Sequence, residues 1–229
     1  MERGLGMVSG FFRRLALAGM AWAALLGCRS DELDKGQACL ALGDYPLAQR
    51  FFARAVESDP RGYEARLGLG QALLQKAYAE NDSSAFAGGL MQLEACRTLR
   101  PASDIGGLLS EAWLDRARGL LRSKDTLAAL AALSKSIDRE PRDPRPVNLA
   151  GIVYGKLGDP SKAEALFRKA LGLDSADASA HFNLGMIRWQ AGDARGAHDH
   201  WLAALKALPD DEDILYWFAL AEKKLRESP

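Results

Sequence analysis

Apolar and polar positions are patterned most clearly in residues 144–211, where a 34-residue unit is written twice in register. Val147, Leu149, Ala150, Val153 and Tyr154 fall at i, i+3 and i+4 spacings, which predicts one apolar face of a helix. Gly158 ends that helix, where a left-handed residue costs least. Asp159-Pro160 then supplies an N-cap and a first-turn proline for a second helix. The apolar face of this second helix is Ala163, Leu166, Phe167, Ala170 and Leu171. Thirty-four residues on, Gly185 answers Gly151, Gly192-Asp193 answers Gly158-Asp159, and Trp201 answers Phe167. Ala197 and Ala204-Leu205 complete the match with Ala163 and Ala170-Leu171. The small residues let the paired helices approach, and the aromatic residue fills the remaining space. A fixed period of this size with helical patterning predicts an array of helix–turn–helix units.

The frame continues outward. Gly43-Asp44-Tyr45 with Ala48, Phe52, Ala55 and Pro60 reads as another second helix, and Leu69-Gly70 and Leu73 open the following unit. Gly43 and Gly158 are 115 residues apart, 13 more than three periods. Seven of the extra residues are placed near Tyr78–Ala85, as a polar stretch between two helices, and six at Asp104–Leu109, lengthening the next helix. The small-large-small pattern with its closing prolines resembles the tetratricopeptide repeat over about residues 29–225. That resemblance implies an all-α, right-handed superhelix (an α-α solenoid) of about five repeats, at 29–62, 63–103, 110–143, 144–177 and 178–211. The third is the weakest match, with Ala117 for the glycine and Ser136 for the second alanine. Residues 212–226 continue the first-helix pattern through Leu215, Phe218, Ala219 and Leu225 with a charged outer side, as a capping helix.

Residues 1–27 stand outside the array. Arg13 and Arg14 precede the uncharged run Leu15–Leu26, whose 12 residues are too few to span a bilayer and suit a secretory signal. Leu25-Leu26-Gly27-Cys28 resembles a bacterial lipobox, although Leu26 departs from the small residues commoner there. This resemblance implies cleavage before Cys28 and acylation of Cys28, anchoring the chain 28–229 to a lipid bilayer. Several acyl chains hold a protein stably without a transmembrane helix. A plain signal peptide or an uncleaved anchor are the alternative readings. Arg29, rather than aspartate, follows the cysteine and favours the outer membrane of a bacterial envelope, facing the periplasm.

Charge narrows the partners. The chain has 30 basic and 30 acidic residues, and 27 and 29 remain beyond residue 27, so no basic surplus exists for nucleic acid. Cys39 and Cys96 are read as buried free thiols facing different layers. Catalytic signals are poor: His198 and His200 diverge on a helix, and no cysteine cluster, phosphate loop or nucleophile elbow appears. No enzyme activity, cofactor or metal is expected.

First-helix residues turned away from the core line a concave groove in tetratricopeptide arrays. Carried over by position, the groove comprises Leu114, Arg118, Arg122, Asn148, Ile152, Phe182, Asn183, Met186, Trp189 and Tyr216, with Leu33, Leu40, Leu67, Leu74 and Leu121 beside them. An apolar stripe with a polar rim suits a protein or peptide partner. Superhelical packing could instead bury the leucines. The cationic clamp used by chaperone-tail receptors is not matched by Leu33, Gln37, Gly68, Glu111 and Asp115. The expected function is a membrane-anchored, non-catalytic scaffold in envelope assembly; the architecture resembles that of type IV pilus assembly lipoproteins, which help secretin rings form. Adaptors for cell-wall enzymes or a periplasmic transport system, and a self-associating homo-oligomer, remain open alternatives.

Overall fold

The computed structural model describes residues 31–101 and 103–227. The signal segment expected at 1–27, the lipidation site Cys28 and its neighbour Arg29 lie outside the described residues. Among the described residues there are eleven helices and no strand. The chain divides between Leu109 and Ser110 into two compact units.

The first unit contains α1 (Asp31–Leu42), α2 (Tyr45–Ser58), α3 (Tyr63–Glu80) and α4 (Ser83–Leu99). Gly43, at φ +80, turns α1 into α2, and the Asp44 carboxylate caps α2 by accepting from Leu47 N. Phe52 is 1% exposed, and its ring lies so close to Gly36 and Gly68 that a Cβ on either would overlap it. One aromatic side chain thereby joins α1, α2 and α3. The seven residues expected as a loop near 78–85 enter the helices instead, since α3 has 18 residues and α4 has 17. Only Asn81 and Asp82 separate them. Asn81 takes the left-handed conformation at φ 52, and Asp82 caps α4 through Ser84 N and Ala85 N, so two residues complete the turn. Apolar Ala77, Ala85 and Phe86 prolong the buried face on either side of it. Cys96 is buried and Cys39 half-buried, both free thiols. Burial pushes the Cys96 thiol up to about 11, which makes it unreactive at neutral pH.

Helix α5 (Ile105–Arg122) starts close to where the second insertion was expected to lengthen it. It is followed in the second unit by α6 (Thr126–Arg139), α7 (Pro144–Lys156), α8 (Pro160–Leu173), α9 (Ala178–Gln190), α10 (Ala194–Ala207) and α11 (Glu212–Glu227). Three core clusters succeed one another. Leu114, Ala117, Ala132, Leu133, Ala150 and Val153 join α5, α6 and α7. Val147, Ala163, Phe167, Ala180 and Leu184 join α7, α8 and α9. Ala197, Trp201, Ala204, Ile214 and Ala221 join α10 to α11. The weak third repeat has its own polar clasp. Buried Ser110 and Ser136 exchange hydroxyl-to-carbonyl bonds at 3.0 and 2.8 Å, so neither buried hydroxyl is orphaned. On α11 the inward face differs from the expected one. Ile214 and Ala221 are buried with Trp217 and Phe218 packed beside them, whereas Leu215 and Ala219 are exposed.

Candidate partner-binding face

Helices α5, α7 and α9 present neighbouring faces in the second unit. The α7 side chains share one core cluster with α5 and another with α9, so these first helices of successive pairs lie side by side. Both α7 and α9 are fixed at their starts by an aspartate. Asp143 caps α7 through Arg145 N, and Asp177 caps α9 through Ala180 N. Those caps also hold polar groups of the face. Arg145 forks onto Asp143 at 2.8–3.1 Å and reaches Glu111 on α5 at 2.7 Å. Its bonds to the Asp143 carboxylate raise the Arg145 pKa and keep the guanidinium charged. Arg118 bonds Asp115 on its own helix at 2.9 Å.

The ten positions expected to line a groove separate into three groups. Leu114 is fully buried in the α5–α7 core, and Leu74 of the first unit is 3% exposed, so neither faces a partner. Leu114 packs in the core that joins successive pairs and is withdrawn from the site, while Leu74 packs against Gly89 of its own pair. Asn148 is also buried, at 7% exposure; its amide nitrogen lies 3.4 Å from both Asp177 carboxylate oxygens. It links α7 to the start of α9. Its side-chain oxygen is buried with no hydrogen-bond partner. Asn183 bonds the Ser179 carbonyl of its own helix at 2.8 Å.

The remaining members form the usable surface. Arg118 and Arg122 are the polar part of it, and Ile152 is half-buried. Phe182, Met186 and Trp189, at i, i+4 and i+7 on α9, are half-buried against the last core cluster. Trp189 is part of an aromatic group, its ring centroid 5.9 Å from Trp201 and 6.3 Å from Trp217. Tyr216 on α11 packs edge-on against Trp217 and is 64% exposed. Chemically the face offers apolar area and hydrogen bonds. Among the described residues no three His, Cys, Asp or Glu converge as a metal site.

One pairing escaped the sequence reading. His200 meets His181 rather than His198, the two Nδ1 atoms 3.2 Å apart between α10 and α9. His181 Nε2 is 3.2 Å from the Ser175 carbonyl, to which it donates, leaving its Nδ1 to accept from His200. Burial, and then His181 and Arg188, hold the His200 pKa below the ordinary histidine range. The 34-residue frame placed one half of it: His181 stands where Trp113 and Val147 stand in the preceding units, on the core side.

The fold and this face define a helical-repeat protein of the kind that presents a surface for protein–protein interaction. The family model for the tetratricopeptide repeat matches residues 33–81 and 148–212. The chain thus carries tetratricopeptide repeats, and its fold is a tetratricopeptide solenoid. It is similar to a crystal structure of MamA at 20% identity and TM-score 0.51, covering 76% of this chain and 94% of that one. A second MamA structure matches at 20% identity and TM-score 0.50, covering 86% and 94%. No curated protein matches the sequence.

Proposed function

We propose that the protein is a non-catalytic adaptor that holds a segment of a partner protein against the α5–α7–α9–α11 face. In this reading acylated Cys28 tethers it to a bacterial membrane, with the outer membrane favoured by Arg29. The carrying observation is the apolar run Phe182, Met186 and Trp189, joined through Trp217 to Tyr216, which is 64% exposed. A large apolar side chain at that exposure, contiguous with others, marks an interaction site. The tetratricopeptide fold supports the scaffold role, and the lipobox-like Leu25-Leu26-Gly27-Cys28 supports the anchor. Within the envelope, assembly of pilus or secretin rings is one version of this reading; service to cell-wall enzymes or to a transport system fits the architecture equally, since function sits in the groove and not in the fold.

A photo-crosslinking residue placed at Tyr216, with one at exposed Arg195 as control, tests the receptor in intact cells. One envelope protein joined at 216 and not at 195 is the expected result. A crosslink to a second copy of the chain would replace the adaptor reading by self-association, and equal labelling at both positions would sink it. For the anchor, metabolic labelling with an alkynyl fatty acid should mark wild type and not Cys28→Ser; an unlabelled wild type removes the lipid from the proposal.

A further inference from the structure

The same face is chemically divided, and the division describes what it binds. Arg122 and Lys156 are the last residues of α5 and α7, 34 apart, and neither is buried. Neither forms an ion pair with any described residue. Glu111, in the second turn of α5, touches Arg145 at the start of α7, and each of those residues lies 11 positions before its helix end. The shared core of Leu114, Ala117, Ala150 and Val153 keeps the helices side by side between these points. Their cationic ends are therefore neighbours, on the order of one interhelical spacing (about 10 Å) apart.

On α5 and α7 the carboxylates of the face are already engaged, whereas Glu212 and Asp213 on α11, one turn before Tyr216, are exposed. Glu111 and Asp143 hold Arg145, and Asp115 holds Arg118. On these two helices the charge left over is positive and sits at one end, at Arg122 and Lys156. The equivalent position on α9 is uncharged Gln190, and there the face turns apolar through Met186 and Trp189 to Tyr216 on α11. Each cation also offsets the negative end of its own helix dipole. That role leaves the outward side of both head groups to solvent.

We infer that the segment received here is bipartite, with carboxylate side chains lying against Arg122 and Lys156 and bulky apolar side chains against Met186 and Tyr216. The inference rests on the receptor reading above. Two adjacent solvent-facing cations favour an acidic segment through charge complementarity, which adds steering and orientation to apolar anchoring. A neutral apolar segment would leave the cationic end unused. A basic one would be repelled by it.

Selection of a random dodecapeptide display library on the mature chain tests this directly, with three variants that must match wild type by circular dichroism. Wild type is expected to enrich peptides with Asp or Glu beside aromatic or aliphatic residues. Arg122→Glu/Lys156→Glu should shift the selected charge from acidic to basic. A wild-type peptide should bind about tenfold more weakly to Arg122→Ser/Lys156→Ser, the scale of two exposed charge pairs, with binding falling as salt rises. Met186→Ser/Tyr216→Ser should lose the peptides altogether. Peptides that require Met186 and Tyr216 but show no acidic bias, or the same peptides from the charge-reversed protein, overturn the bipartite inference and leave the receptor standing. No enrichment on wild type overturns the receptor reading and this inference with it.

Discussion

Helix pairs α7–α8 and α9–α10 are two copies of one 34-residue frame, yet they differ at almost every position that is not small. Ala163 and Ala197 are both fully buried, as are Ala170 and Ala204. Gly151 and Gly185 each stand so close to the next aromatic ring that a Cβ would overlap it. Gly158 and Gly192 both turn at positive φ, 78 and 81 degrees, and Asp159 and Asp193 cap the helices they lead into. Against that constant frame, Phe167 becomes Trp201, Val147 becomes His181, Tyr154 becomes Arg188 and Asn148 becomes Phe182. The small positions set how closely the helices pack, while the large ones are free to decide what each layer contains and shows. Arg188 illustrates the freedom: where Tyr154 stacks beside Lys162, Arg188 reaches back to Glu164 on α8 at 2.7 Å.

The aromatic position gives the largest test of that comparison. Trp201 is fully buried, donates its indole N–H to the Phe182 carbonyl at 3.2 Å, and contacts Trp189 and Trp217. Trp201→Ala should cost about 3–5 kcal/mol in urea unfolding. Phe167→Ala falls in the same range but removes no side-chain hydrogen bond, so the Trp201 variant should be the less stable of the two. The opposite order would mean that the terminal layer adds little to the fold.

A smaller difference is expected at the helix starts. Asp177→Ala removes the cap of α9, a loss of about 1 kcal/mol, and takes away the carboxylate that the Asn148 amide reaches. Asp143→Ala removes the cap of α7 and also one of the two carboxylates holding Arg145. The α7 variant should therefore be the more destabilised and the more salt-sensitive. Equal losses would show that Glu111 alone satisfies Arg145.

These elements also show what the sequence could and could not say. The helix pairing was legible because Gly, Ala and the capping Asp recur at fixed offsets, and each has a local physical cause. The longer α3 and α4 were not, because AENDSS reads as a loop by composition, while one Asn in the left-handed region and one Asp cap suffice to turn the chain. On the candidate face, Met186 and Tyr216 both reach the surface, with Tyr216 strongly exposed. Leu114 was misplaced because a repeat position names a face of a helix, and whether that face is covered depends on the neighbouring pair. The His181–His200 contact joins residues 19 apart on two helices, which no periodicity along one helix reveals.

That contact supplies the smallest test and the finest distinction between the two pairs. Val147 in the earlier copy does not titrate, so of these two pairs only the later one has a histidine joint. His200 is held below its ordinary pKa of 6.5 by burial first and by His181 and Arg188 next, with Arg168 adding to them and Asp199 opposing. Folding therefore favours the neutral ring, and the unfolded chain binds the extra proton. Stability from this group is present above about pH 6.5 and is lost as the pH falls from there toward the folded pKa. Thermal unfolding of wild type between pH 7.5 and 5.5 should show a modest fall, and His200→Gln should show less of one. If the His200 variant keeps the full slope, the acid sensitivity does not come from this joint, and the two copies are electrostatically alike over this pH range.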